Sequence, residues 1–220
     1  MRSILRFTGL MTLFAFSLGT HAKVQEYRLD NGLRLLVKED HRAPVVVSEV
    51  WYKVGASYET AGMTGISHML EHMMFKGTTK FGPGELATIV SKNGGQQNAF
   101  TSQDFTGYYQ VFEKSKLPIS FELEADRMRN LIFNEEEFAK EHQVVMEERR
   151  LRTDDDPQAL TYERFLAAAH TASPYHHPVI GWMSDINQLT LNDLKSWYEQ
   201  WYAPNNATVV VVGDVVPEDV

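Results

Sequence analysis

His68-Met69-Leu70-Glu71-His72 lies inside a stretch, Thr64 to Phe75, whose apolar residues recur at helical spacing. This pentapeptide narrows what the chain can fold into more than any other feature. At ~100° per residue, setting His68 at zero puts His72 at ~40° and Glu71 at ~300° on the helical wheel. Ile66, Met69, Leu70, Met73 and Met74 fall between ~100° and ~240°. Such a helix has to bury one side in a core and present two imidazoles and a carboxylate on the other. Histidines at i and i+4 sit about 6 Å apart along the axis. That spacing suits one tetrahedral zinc, with each nitrogen about 2.0–2.1 Å from the ion. The intervening Glu71 is then placed to take a proton from a water at the metal.

Composition limits how such a metal could be held. The chain has no cysteine, so thiolate zinc sites, iron–sulfur clusters, disulfides and cysteine nucleophiles are excluded together. Ligands must come from 8 His and 29 Asp plus Glu, an ample supply. The third ligand is sought on a helix spanning 134–152. There Phe138, Val144, Val145 and Leu151 read as an apolar arc, with Glu141 and Glu148 in the middle of it. A carboxylate on a core-facing stripe is costly unless it is paired or bound to metal. Glu148 therefore outranks Glu147, which points about 100° away. Glu141 reads as a partner holding a metal-bound histidine.

The rest of the chain supplies strands first, then helices. Val24 to Leu29 and Leu33 to Val37 flank Asp30-Asn31-Gly32, a hairpin signal. Strands are expected over 44–54, 97–101, 105–112 and 206–212, and helices over 64–75, 83–91, 117–131, 134–152, 157–169 and 191–201. This order predicts an α+β fold with one mixed, largely antiparallel sheet and helices packed on it, as a single unit over 23–220. His170, His176 and His177 read as loop and helix-surface histidines rather than extra ligands, since zinc already has its set. Asp154-Asp155-Asp156 reads as a helix cap before Pro157, and Trp197, Tyr198, Trp201 and Tyr202 as core and rim packing.

Residues 1–22 read as a secretory signal peptide. Arg2 and Arg6 precede an apolar run from Leu10 to Leu18, and Thr20-His21-Ala22 offers a small-residue exit. An exported protein, periplasmic or secreted, is expected. A mitochondrial presequence is the alternative, against which the run is apolar all round rather than amphipathic. At nine residues it is too short to span a bilayer, which needs roughly 20. The formal net charge of -8, without any long Lys/Arg run, excludes a nucleic-acid footprint. At the other end, Val216-Pro217-Glu218-Asp219 looks like a helix start that stops within its first turn, so a fragment, a truncated gene product or half of a larger design is expected.

These motifs resemble the pitrilysin/insulinase family of zinc peptidases, which includes the mitochondrial processing peptidase. Gly65 to Thr78 is similar to the family's inverted HxxEH motif, and Glu141 to Arg149 to its distal motif. Gly94-Gly95 with Asn98-Ala99-Phe100-Thr101, and Pro178 to Trp182, resemble segments between and beyond them. The resemblance implies one zinc per chain, held by His68, His72 and Glu148, with Glu71 as general base. It also implies that Asn98 and Ala99 lie on an edge strand that binds extended peptide by strand addition. Ser67 departs from the alanine expected there. Family members repeat this unit, so a second homologous domain, a partner subunit or a homodimer is implied. The function expected is metalloendopeptidase; the alternative is a non-catalytic partner or an inactive remnant.

Overall fold

A computed structural model of the chain describes residues 23–220. The signal-peptide reading falls on 1–22, outside the described residues. Among the described residues six strands form one sheet: β1 (Gln25–Arg28), β2 (Arg34–Glu39), β3 (Val45–Tyr52), β4 (Gln96–Thr101), β5 (Thr106–Glu113) and β6 (Ala207–Gly213). Their order is β1-β2-β6-β3-β5-β4. Every pairing is antiparallel except β2 with β6. The expected mixed, largely antiparallel sheet with helices packed on it is what forms. Its first hairpin turns through Asp30-Asn31-Gly32, where the Gly32 amide donates to Leu29 O at 2.9 Å and Gly32 takes φ +88°. A glycine adopts that left-handed conformation at little cost.

The helices are α1 (Ile66–Met73), α2 (Glu85–Lys92), α3 (Leu117–Asn130), α4 (Glu135–Arg149), α5 (Pro157–Ala169), α6 (Met183–Ile186) and α7 (Leu191–Trp201). They cover one face of the sheet. Val46, Val50 and Tyr52 of β3, Tyr108 and Phe112 of β5, and Val209 and Val211 of β6 are buried beneath them. The alternation of period two along these strands follows from the pleat. At eight residues, α1 is too short to hold its shape alone. Its buried Ile66, Met69, Leu70 and Met73, with Met74 at its C-cap, contribute on the order of 10 kcal/mol of gross apolar transfer. That exceeds the cost of nucleating so short a helix. Tertiary burial, not propensity, makes α1 a helix.

Three readings from the sequence need correction. The helix expected to run to Arg152 keeps α-helical bonding only to Arg149, then widens into a π turn over Arg150–Asp154. The one-turn α6 segment was not anticipated, because four residues carry no measurable period. The apolar arc assigned to α4 is only half buried: Phe138 and Val145 are in the core, whereas Val144 and Leu151 are exposed. The stripe carrying Glu141 and Glu148 faces α1 and an open cleft, so its flanking apolar residues border solvent.

Candidate metal centre

The site forms where α1 and α4 pack against each other beside β4. His68, His72 and Glu148 each offer one ligand atom, and these lie within 4.8 Å of one another. His72 Nε2 is 3.4 Å from Glu148 Oε2, and His68 Nε2 is 3.8 Å from Glu148 Oε1. Donors about 2.1 Å from a tetrahedral ion are separated by roughly 3.4 Å, so the triad is near the size a zinc requires. Glu147 lies off the site and pairs instead with Arg150 at 3.0 Å.

The electrostatics also favour a cation among these three. Glu141 Oε2 accepts a hydrogen bond from His72 Nδ1 at 3.0 Å, and Lys76 Nζ holds its other oxygen at 2.6 Å. Glu141 keeps a proton on His72 Nδ1, so Nε2 is the nitrogen that faces the Glu148 carboxylate; it donates there while protonated and offers a lone pair once a cation displaces that proton. A lone pair facing an anion calls for a positive charge between them. Burial, then the neighbouring His72 charge, push the His68 imidazole down to about 4, so it is neutral and ligand-competent at neutral pH. The hydrogen bond from His72 holds Glu148 below the usual carboxylate range. Burial lowers His72, but its contacts with Glu148 and Glu141 outweigh this and keep it above its ordinary value. The residues present fit a zinc ion.

Glu71 lines the same cleft, about 540 Å³ in volume, together with Asn98, Ala99 and Thr101 of β4. Burial raises its carboxyl above the ordinary value, and the Thr101 hydroxyl, donating to Oε2 at 2.5 Å, partly offsets this. A carboxylate raised in this way is better matched to taking up a proton near neutral pH. β4 stands at the sheet edge, with β5 on one side and the cleft on the other. Its free backbone edge can pair with an extended chain.

Several residues that shape the site were not singled out from the sequence. Thr101 shares the helix-facing side of β4 with Ala99, a parity that could have flagged it. Arg152 reaches Glu148 Oε1 at 2.5 Å from one turn on. The buried Arg149, next to Glu148, is held by Glu163 and donates to Gly181 O at 2.9 Å. Glu59 and Asp185 bind backbone amides where α1 begins. Of the discounted histidines, His177 lies in a loop, as expected, but is buried there. The aromatic group behaves as expected: Trp197, Tyr198 and Tyr202 are buried. Asp156 caps α5 through the amides of Gln158 and Ala159.

Comparison with known proteins follows this geometry. Residues 34–181 match the family described as insulinase (peptidase family M16), and residues 188–220 match the peptidase M16 inactive domain. The chain is 42% identical to the zinc protease PqqE of Helicobacter pylori over 97% of its own length and 50% of that protein's. It is 29% identical to the uncharacterized zinc protease YmxG of Bacillus subtilis, over 87% of this chain and 47% of that one. Among solved structures, a protease from Helicobacter pylori superposes with a TM-score of 0.88 at 43% identity, covering 90% of this chain and 48% of that one. The periplasmic protease PqqL of Escherichia coli gives 0.81 at 27%, covering 90% and 22%. The chain thus spans about half the length of these curated relatives, or less.

Proposed function

Because the chain belongs to the insulinase (M16) family of peptidases, we propose that it carries the metal-bearing half of a zinc metalloendopeptidase acting on extended or unfolded peptides. The observation that carries this reading is the convergence of His68, His72 and Glu148 on one point, with Glu71 in the same cleft. Zinc held by His68, His72 and Glu148 would supply a Lewis acid that activates a water and polarises the scissile carbonyl. Glu71 accepts the proton of the attacking water and returns it to the leaving amine. Thr101 holds the Glu71 carboxylate toward the cleft. Glu141 fixes the tautomer and ring plane of His72. Asn98 and Ala99, on the free edge of β4, bind the substrate backbone as an added strand, so recognition depends on an extended main chain more than on any one side chain.

The half-length match to relatives supports a second homologous half, supplied by further sequence, a partner subunit or a second copy, that closes over the cleft. The apolar run at 10–18 and the periplasmic relative support export. Among the described residues, no helix is long and apolar enough to cross a membrane.

The test is zinc stoichiometry and hydrolysis of an unfolded-peptide pool, measured on one preparation of residues 23–220 and on its Glu71→Gln variant. One zinc per chain in both proteins, with cleavage only in the parent, is the expected result. One zinc without cleavage in the parent places catalysis in the assembled pair of halves and moves the assay there. Absence of zinc from the folded protein overturns the metal reading.

A further inference from the structure

The short helix bearing both histidines has no cap of its own. Its N-cap position is Gly65, which has no side chain and sits at φ +88°. The amides at this end are taken by a side chain six residues upstream. Glu59 Oε2 accepts from Gly65 N at 2.7 Å, and Glu59 Oε1 from Ser67 N at 2.8 Å. Ser67 immediately precedes His68. Both carboxylate oxygens are committed to the backbone, and the residue is 7% exposed.

A buried carboxylate with no basic partner is an expensive way to cap a helix. Burial pushes Glu59 up to about 7 even though the two amides pull it down. A serine or aspartate at position 65 would satisfy the amides in the ordinary way. Position 65 cannot carry one. A Cβ there would lie 2.4 Å from Ile180 O, and a Cβ on the facing Gly181 would lie 2.4 Å from Thr64 O. The start of α1 and the loop at 180–181 are therefore in backbone-to-backbone contact. That same loop accepts Arg149, the neighbour of Glu148, at Gly181 O. The start of α1 is thus set against the end of α4 through this loop, and the cap is supplied from outside it.

We infer that Glu59 is a positioning residue of the metal centre: by binding the amides of Gly65 and Ser67 it fixes the first turn of α1, and with it the direction in which His68 meets Glu148. Asp185 continues the clamp one step upstream, accepting from Thr64 N at 3.3 Å, Thr64 Oγ1 at 2.8 Å and Gly62 N at 3.1 Å. This inference rests on the zinc-site reading above.

The test compares zinc affinity, by chelator competition, and the visible spectrum of the cobalt-substituted protein in the parent, Glu59→Gln and Asp156→Ala. Glutamine keeps the shape but turns an amide NH2 onto a backbone N–H. Glu59→Gln is expected to weaken zinc binding by ten-fold or more and to shift the cobalt bands. Asp156→Ala removes a cap on α5 and is expected to lower thermal stability with zinc affinity and cobalt bands unchanged. Parental affinity and an unchanged spectrum in folded Glu59→Gln would overturn the inference. Failure of the parent itself to bind zinc would instead overturn the metal reading. If Glu59→Gln does not fold, Glu59→Asp decides: it keeps the charge one methylene short, a three- to ten-fold loss is expected, and parental affinity refutes the role.

Discussion

At the scale of single residues, the centre depends on groups that hold other groups. Glu141 binds His72 Nδ1 and is itself held by Lys76. Glu141→Ala should leave the fold intact and weaken zinc binding by about 10–100-fold, as measured by competition with a chromophoric chelator. Glu59 makes a second prediction, read from pH. Its carboxyl sits near 7 in the folded protein against 4.5 as the ordinary value. Between those values the folded state binds the extra proton, so this group costs stability increasingly as pH rises to about 7, by about 3 kcal/mol in all. His68, lowered to about 4, works in the opposite sense, adding stability as pH rises from about 4 to 6.5. The melting temperature of metal-free Glu59→Gln, relative to the parent, should therefore climb between pH 5 and pH 8. A constant difference across that range would show that Glu59 is not buried as described.

Among the elements, the decisive contacts tie the end of α4 to α5 and to the loop at 180–181, which abuts the start of α1. The buried Arg149 forms two hydrogen bonds with Glu163 of α5 and one with Gly181 O. Arg149→Ala leaves Glu163 buried and unpaired, and should cost about 3–5 kcal/mol. Arg149→Met combined with Glu163→Leu should recover a large part of that loss. Both would be read from urea midpoints at constant m. Recovery in the double variant would identify the loss as one of unpaired charge rather than of packing. The sequence separated α1 from its neighbours well, because its apolar and polar residues segregate cleanly on the wheel. It did poorly on α4, where Val144 and Leu151 were assigned to a core stripe and are exposed. Periodicity reports which residues share a face. It does not report whether that face meets a core or a cleft.

Over the whole molecule, the sheet is closed by its last strand. β6 lies between β2 and β3 although more than a hundred residues separate it from either. It belongs to the stretch that matches the second family description, while its neighbours belong to the first. The boundary between the two matches therefore cuts through a single sheet. A chain ended at residue 187 would lose α7 and β6, expose facing edges of β2 and β3, and remove the partners of Val37 and Val50. Such a chain is expected to be insoluble or molten, shown by loss of a cooperative thermal transition, whereas the chain through 220 melts cooperatively.

Local sequence determined the elements and the candidate ligands. Hydrophobic spacing located six strands and the longer helices within a few residues. The wheel of α1 put His68, Glu71 and His72 on one side. The cost of burying acids singled out Glu148 over Glu147 and gave Glu141 a supporting part. These follow from periods of two and 3.6, which a sequence carries in itself. Tertiary structure alone decided that β6 enters the middle of the sheet, that Thr101 meets Glu71, and that Glu59, Asp185, Arg149 and the Gly65–Gly181 contact hold α1 and α4 in register. Those groups are bound by backbone amides, carbonyls and partners remote in the chain, and no local pattern encodes a partner that only folding brings near.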